Sequence, residues 1–270
     1  MAIDYLYSKE KLIIPFDRTI SFVITENCSF QCAHCLRGDR RPNVISKEVI
    51  NAVLSQIEIH GRLFLAGGEP LLHIEKIIYL LDQLYSLGNT PKSISFFTNG
   101  SVCASKFEEF VAISSQKGAV LRIKVSNDFY HRQERKRLFG YEDDLTEMWE
   151  IRKRVEEYRA IMRDYGYTAD NESLFLERYK PCAGPWLSFV GKGQSMATEE
   201  VVDGREFSIY RNAGIICNEI IGDIQILPDG RISSCIDMTW EESDKYGSNF
   251  SVLENPIARI LKPPNIKYNC

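Results

Sequence analysis

Two hydrophobic patterns alternate along the first 165 residues of the chain. Short runs rich in β-branched and aromatic residues predict strands, and apolar residues spaced three and four positions apart predict helices. The predicted strands are 19–25, 62–66, 93–98 and 120–126. The predicted helices are 46–59, 74–87, 106–116 and 144–165. Strands that alternate with helices over this length favour an α/β fold with a parallel sheet, either open or barrel-like.

An apolar stripe defines the first predicted helix. Its members recur at helical spacing and are Ile50, Val53, Leu54 and Ile57. Ser46 precedes them and is a suitable N-cap residue. This spacing predicts that Ile57 belongs to the same helix as Ile50.

Beyond residue 165 the periodicity is weaker. Residues 187–191 are apolar enough for another strand, and 222–235 predict two short strands around a turn at Pro228-Asp229-Gly230. Residues 246–261 lead into a short helix. The C-terminal part of the chain, from about residue 213, therefore differs in character from the strand–helix repeats before it.

One basic cluster lies between the fourth strand and the last long helix. Its members are Arg132, Arg135, Lys136 and Arg137. Glu134 and the acidic residues of 141–144 offset its charge. We interpret the cluster as a solvated face.

Composition narrows the class of protein. The formal net charge of the 270 residues is -4 and the pI is near 5.7, which gives no general attraction to nucleic acid or to anionic membranes. The first 18 residues lack a long apolar core and no run approaches the roughly 20 residues of a membrane span, so neither a signal peptide nor a membrane anchor is expected. Eight cysteines are too sparse for a disulfide scaffold. We therefore expect a cytoplasmic protein, in which clustered thiols suggest a metal.

Distinctive polar segments follow each of the four predicted strands. Three cysteines come after the first strand, GGEP (67–70) after the second, TNG (98–100) after the third and SND (126–128) after the fourth. In a parallel sheet these points share the carboxyl edge, where α/β folds place their chemistry. The four segments are expected to form one site.

The cysteine spacing limits what this site binds. Cys28, Cys32 and Cys35 are separated by three and then two residues, and no fourth cysteine follows nearby. Zinc usually takes four ligands, and His34 is poorly placed to join its neighbour Cys35 in one tetrahedron. A cubane iron–sulfur cluster held by three thiolates would keep one iron free for a small molecule. An incomplete zinc site and unligated buried thiols remain the alternatives.

Three of these segments together resemble the radical S-adenosylmethionine (radical SAM) enzymes. They are Cys28-x3-Cys32-x2-Cys35, Gly67-Gly68-Glu69-Pro70 and Ser126-x-Asp128, and the resemblance covers about residues 18–190. It implies a partial (β/α)6 TIM-like barrel in which the cysteines bind a [4Fe–4S] cluster. It also implies that SAM chelates the free iron and is cleaved to methionine and a 5′-deoxyadenosyl radical, which abstracts a substrate hydrogen.

The resemblance assigns cofactor contacts to particular residues. The glycine-rich motif would hold the methionyl amino group, with the carboxylate of Glu69 paired to it. Ser126 would reach the ribose or carboxylate of SAM, with Asp128 nearby, and His34 stands where the family has an aromatic residue packed on adenine. Thr98 and Asn99 are further candidate contacts, although Asn99-Gly100 also suits a simple turn. The full set of candidate cofactor-binding residues is His34, Gly67, Gly68, Glu69, Pro70, Thr98, Asn99, Ser126 and Asp128.

The C-terminal hairpin is similar to the SPASM and twitch extensions of radical SAM enzymes. We divide the chain accordingly into a barrel at 15–212 and an extension at 213–270. Those extensions carry closely spaced cysteines for an auxiliary cluster. The cysteines outside the barrel motif and its neighbourhood are widely scattered, at Cys182, Cys217, Cys235 and Cys270. A second cluster is therefore not favoured.

The expected function is reductive cleavage of SAM for hydrogen abstraction from a substrate. Extensions of this kind often accompany peptide substrates, which favours peptide modification by analogy alone. A flavodoxin or ferredoxin would supply the electron. The alternatives are chemistry on a sugar, nucleotide or other small metabolite, and a non-catalytic iron–sulfur protein that senses redox state. A zinc-binding nucleic-acid module is disfavoured by the acidic pI.

Overall fold

The computed structural model describes residues 7–8, 11–35, 37–168, 172–176, 224–233 and 251–260. The strands within these ranges are β1 (Tyr7–Ser8), β2 (Lys11–Ile14), β3 (Thr19–Thr25), β4 (Ile57–Ile59), β5 (Arg62–Gly67), β6 (Ser93–Thr98), β7 (Val120–Val125), β8 (Glu172–Leu176), β9 (Ile224–Ile226) and β10 (Ile232–Ser233). The helices within them are α1 (Lys47–Leu54), α2 (Ile74–Ser86), α3 (Ala104–Ser115), α4 (Phe129–Phe139), α5 (Asp144–Asp164) and α6 (Ile257–Ile260), and a 3-10 turn spans Pro70–His73.

The described strands form two sheets. The larger has the order β10-β9-β3-β5-β6-β7-β8, and every neighbouring pair is parallel except β9 with β10. The smaller has the order β1-β2-β4. The predicted α/β class with a parallel sheet is confirmed, and the four strands predicted from the sequence are the central run of the larger sheet.

The main core lies between the helices and one face of the larger sheet. On β6, Ile94 and Phe96 are buried in that core with α2 and α3, whereas Phe97 points the opposite way and is 54% exposed. The alternation follows from the two-residue period of a strand. On the face opposite the helices, Val23, Ala66 and Leu227 form a separate small cluster.

The prediction that Ile57 belongs to the first helix is wrong. That helix ends at Leu54, and Ile57 begins β4, where it pairs in parallel with Leu12 of β2. Ile57 is fully buried there, as it would have been on the helix. The helical spacing was misleading because both structures bury the same side chain, and the partner strand lies 45 residues earlier in the chain.

The interpretation of the basic cluster as a solvated face is half wrong. The segment is the helix α4, which follows β7 directly and was not predicted. Arg137 is exposed and pairs with the partly buried Glu134, and Lys136 is partly exposed and pairs with the exposed Asp144. Arg132 and Arg135, however, are only 5% and 2% exposed.

The predicted C-terminal hairpin is confirmed. β9 and β10 are antiparallel around the turn, where Gly230 has a φ of +86°. β9 also pairs in parallel with β3, so this hairpin continues the larger sheet. The short helix predicted near the C-terminus is α6.

Several predictions lie outside the described residues. They concern the strand at 187–191 and the cysteines Cys182, Cys217, Cys235 and Cys270. The division at residue 212 also stays a prediction. Among the described helices, none combines the length and the apolarity needed to cross a membrane.

Candidate functional site

The loops that follow β3, β5, β6 and β7 meet at one edge of the sheet. These strands are parallel neighbours, so their carboxyl ends coincide. Hydrogen bonds join successive loops: Glu69 N–H donates to Asn27 O at 2.9 Å, and Ser126 N–H donates to Thr98 O at 2.9 Å. The expected convergence of the four polar segments is therefore seen in the structure.

The loop after β3 carries three free thiols. Cys32 is buried, and Cys28 and Cys35 are partly buried. Phe30, which is buried, anchors the loop, and its N–H donates to Cys28 Sγ at 3.4 Å. A backbone turn from Cys35 N–H to Cys32 O, at 3.1 Å, brings the last two cysteines onto one bend.

The electrostatics of these thiols fit a cationic, sulfur-binding group. Burial, assisted by the carboxylate of Glu69, raises the pKa of Cys28 to about 12. Burial and the neighbouring thiols also raise the pKa of Cys32. Thiolates form readily in such a place only when a cation compensates their charge. Three free thiols on one loop are thus a suitable donor set for an iron–sulfur cluster.

The two glycines of the GGEP segment are needed by the chain packed against them. A Cβ on Gly67, whose φ is +152°, would lie 2.4 Å from Thr25 O. A Cβ on Gly68 would lie 2.2 Å from Asn27 O and 2.9 Å from the Cβ of Cys28. The glycines therefore allow the GGEP backbone to touch the cysteine loop, a structural requirement that the sequence did not reveal.

Glu69 lies at this edge with no exposed surface. Its carboxylate accepts hydrogen bonds from Asn99 N–H at 2.7 Å, from Leu71 N–H at 3.2 Å and from the hydroxyl of Thr98 at 3.0 Å. Burial raises the pKa of Glu69 to about 7, although these hydrogen bonds oppose the rise. Pro70 begins the 3-10 turn that leads into α2, a position where the missing N–H of proline is tolerated.

Asn99 links three of the four segments. Its backbone N–H binds Glu69, and its side-chain amide donates to Ser29 Oγ at 3.1 Å and to Cys28 Sγ at 3.5 Å. Gly100 has a φ of +74°, and a Cβ there would lie 2.6 Å from Ile151 Cδ1. The turn interpretation of Asn99-Gly100 is confirmed, and the same turn places Asn99 against the cysteine loop.

Asp128 is the N-cap of α4. Its Oδ1 accepts from the N–H groups of Tyr130 and His131 at 2.9 and 3.0 Å. Its Oδ2 lies 2.6 Å from His131 Nδ1 and 3.2 Å from His34 Nε2. Burial alone would raise the pKa of Asp128, but the two histidines together hold it well below its usual range.

His34 packs in an aromatic environment. Its ring stacks on Tyr130, with centroids 4.5 Å apart and planes 21° apart, and it meets His131 edge-on at 5.2 Å. Its Nδ1 is buried without a hydrogen-bond partner among the described residues. A stacking position for the residue before Cys35 is thus present, with Tyr130 as its partner.

Sequence reasoning missed the part that α4 plays at this edge. Gln31 N–H, in the cysteine loop, donates to Glu134 Oε2 at 2.8 Å. Glu134 is also paired with Arg137. The hydrogen bond from the Arg137 side chain is the largest cause of the lowered pKa of Glu134. The sequence does carry a helix signal here, since a capping residue is followed by a run without glycine or proline from 129 to 139, but the charge density of that run favours a surface interpretation.

Comparison with known proteins shows a shared fold. No protein-family model and no curated protein matches the sequence. The chain is similar in structure to native anSMEcpe, solved with bound AdoMet and a Cp18Cys peptide, with a TM-score of 0.52 and 12% identity over 92% of this chain and 81% of that one.

Two structures of Streptococcus suis SuiB are also similar. One is bound to the precursor peptide SuiA and the other to S-adenosylmethionine; the TM-score is 0.42 for both, with 14% and 13% identity. They cover 93% and 92% of this chain, which spans only 66% and 64% of SuiB. The similarity to SuiB is too low to carry an argument.

Proposed function

We propose that this protein is a radical SAM enzyme that binds a [4Fe–4S] cluster through Cys28, Cys32 and Cys35. The observation that carries the proposal is the convergence of these three free thiols with Glu69 and Asn99 at the carboxyl edge of a parallel sheet. The shared fold with anSMEcpe, which was solved with bound AdoMet, supports it. A partial (β/α)6 barrel with a SPASM/twitch-like extension is part of the same proposal.

The cluster would supply one-electron reduction of SAM, which yields the 5′-deoxyadenosyl radical. The chain's own residues bind and orient the cofactor. Glu69, held by Thr98 and the backbone, would present its carboxylate toward the methionyl amino group, and Gly67 and Gly68 keep that backbone against the cysteine loop. Burial of Glu69 excludes water from this side of the site, which strengthens any charge-assisted contact.

The nucleoside end of SAM would lie toward α4. Asp128, kept ionised by its two histidine neighbours, has an acceptor oxygen suited to the ribose hydroxyls. Ser126 lies two residues before it at the same strand end, and His34 offers an imidazole face in place of the usual aromatic. Binding of adenine there would compete with the stacking of His34 on Tyr130.

A peptide is the favoured substrate. The structure of anSMEcpe, which has a similar fold, was solved with a bound Cp18Cys peptide. This supports a peptide substrate over a sugar, nucleotide or other small metabolite. A flavodoxin or ferredoxin remains the proposed electron donor, and the cytoplasm the proposed location.

The decisive experiment compares iron content and SAM cleavage in matched variants. After anaerobic reconstitution the wild-type protein should bind about four irons per chain and, with a reductant, convert SAM to 5′-deoxyadenosine. The Cys28→Ala/Cys32→Ala/Cys35→Ala variant should be nearly iron-free, because an auxiliary cluster is not favoured. Cys103→Ala is the control, since that exposed thiol lies at the start of α3 and should be dispensable.

Each outcome separates the alternatives. Iron without 5′-deoxyadenosine would favour the non-catalytic, redox-sensing protein. Zinc in place of iron after reconstitution would favour the incomplete zinc site. A stoichiometric cubane that survives in the triple variant would show that the scattered cysteines form a second cluster.

A further inference from the structure

Helix α4 presents two buried arginines to the neighbouring helix α5. Arg132 and Arg135 are 5% and 2% exposed and share the carboxylate of Glu147, which has no exposed surface. A buried guanidinium is tolerated only when its donors are paired. The partners of these two arginines therefore show what each one holds together.

Arg135 joins three separate segments. Its Nε pairs with Glu147 on α5, and its Nη2 donates to Asn127 Oδ1 at 2.6 Å. Its Nη1 donates to Asn99 O at 3.1 Å and to Ser126 O at 2.8 Å. One guanidinium thus bridges the loop after β6 and the loop after β7, and it anchors both of them to α5.

The planar fork of arginine is required for this arrangement. Its five donors leave in fixed directions, so one side chain reaches two carbonyls, one amide oxygen and one carboxylate together. A lysine in the same place has three donors on one atom and cannot span the segments. The bridged backbone carries Asn99, which touches Glu69 and Cys28.

Arg132 is also buried and also pairs with Glu147, but its other hydrogen-bond acceptor differs from those of Arg135. Its Nε donates to Glu147 Oε2 at 2.9 Å and its Nη2 donates to Asp144 O at 3.2 Å, and both of these acceptors lie on α5. The two arginines are one turn apart on one helix. A change at Arg132 is therefore a matched control for the hydrogen bonds that Arg135 makes to the two loops.

We infer that Arg135 is a positioning residue for the cofactor site. It fixes the distance between the β6 loop, which carries Asn99, and the β7 loop, which carries Ser126 and Asp128. The inference rests on the proposed function, because these are the loops proposed to hold opposite ends of SAM. Without Arg135 the two loops keep their own residues but lose their common anchor, so the preorganisation of the site is lost.

The first test needs no cofactor. Hydrogen exchange is measured in the cluster-free, reduced protein for wild type, Arg135→Met and Arg132→Met. Each variant removes one of the two arginines that pair with Glu147, so each should lower the midpoint temperature of thermal unfolding. Only Arg135→Met should speed exchange at the amides of Asn99 and Ser126, which donate to Glu69 and to Thr98 O.

The second test measures SAM affinity by calorimetric titration of the reconstituted proteins at equal iron content. Arg135→Met should weaken binding by about tenfold or more, by analogy with the loss of an outer-shell partner at a metal site, and Arg132→Met should not. Arg135→Lys should not restore the affinity. The SAM-induced change in the electron paramagnetic resonance spectrum of the reduced cluster should shrink in parallel.

Asn127→Ala keeps the test valid if Arg135→Met does not fold. That change removes the amide acceptor of Arg135 but leaves its pair with Glu147, and it should produce the same selective exchange and affinity loss in weaker form. Equal behaviour of the Arg135 and Arg132 variants, or an unchanged Asn127→Ala protein, overturns the inference. Failure of the wild-type protein to bind SAM refutes the proposed function instead, and the exchange measurement still decides whether Arg135 holds the loops.

Discussion

The buried carboxyl of Glu69 should make the stability of the cluster-free protein depend on pH. Burial raises its pKa from 4.5 to about 7 in the folded protein. Between these values the folded protein binds a proton that the unfolded chain has released, so unfolding becomes easier as pH rises. The stability that Glu69 contributes is complete below pH 4.5 and is lost as pH rises through about 7.

The size of this loss follows from the shift. At about 1.4 kcal/mol for each pKa unit, the rise from 4.5 to about 7 corresponds to about 3 kcal/mol of unfolding free energy. Glu69→Gln removes the titration. It also places an amide N–H₂ where a carboxylate oxygen accepted a hydrogen bond from Asn99 N–H or from the Thr98 hydroxyl. The lost hydrogen bond should lower the unfolding free energy by about 1–3 kcal/mol at every pH.

The assay is urea denaturation of both proteins, kept anaerobic and reduced, from pH 4.5 to 7.5. The difference in unfolding free energy, wild type minus variant, should fall by about 3 kcal/mol as pH rises, because all other groups titrate in both proteins. Glu48→Gln is the control. Glu48 is exposed and its pKa is lowered, chiefly by the Ser46 hydroxyl, so its difference should not fall with pH. Parallel stability curves for wild type and Glu69→Gln would refute the reasoning.

Two further predictions concern the same edge of the sheet. Gly68→Ala should lower the iron content after reconstitution, because its Cβ would lie 2.2 Å from Asn27 O and displace the cysteine loop; Gly88→Ala, whose Cβ would meet nothing within 4 Å, should keep its iron. If both glycine variants load equally, the loop contact is not what Gly68 provides. Asp128→Ala and Asp143→Ala each remove a helix N-cap and should each cost about 1 kcal/mol in denaturant unfolding. Only the Asp128 variant should also weaken SAM binding in a titration, and equal affinities would contradict the role of Asp128 in the site.

The four central strands of the larger sheet, the C-terminal hairpin and most helices followed from local patterns. The limits of β3 and β6 agree with the prediction to the residue, and α5 agrees to within one residue. These elements are predictable because strand and helix periods differ and because each buries one side against the same core. The convergence of the cysteines, Glu69 and Asn99 also followed, since parallel neighbours must bring their carboxyl ends together.

The buried arginines could not be predicted in this way. A charged residue in a helix normally indicates solvent, and nothing near Arg135 in the sequence shows that Glu147 neutralises it or that loop carbonyls accept from it. The glycines of GGEP are a similar case, because the atoms that exclude a Cβ belong to Thr25 and Asn27, some 40 residues earlier.

The sequence by itself determined the period of each main element and the chemical types that meet at the sheet edge. Both depend on residues that are adjacent or regularly spaced. Only the tertiary structure decided that Ile57 pairs with β2, that His34 stacks on Tyr130 and that Arg135 anchors two loops. Each of these outcomes depends on a partner that is distant in the sequence. A side chain can be buried only where the fold supplies groups to pack against it or to pair with its charge, and local sequence does not identify those groups.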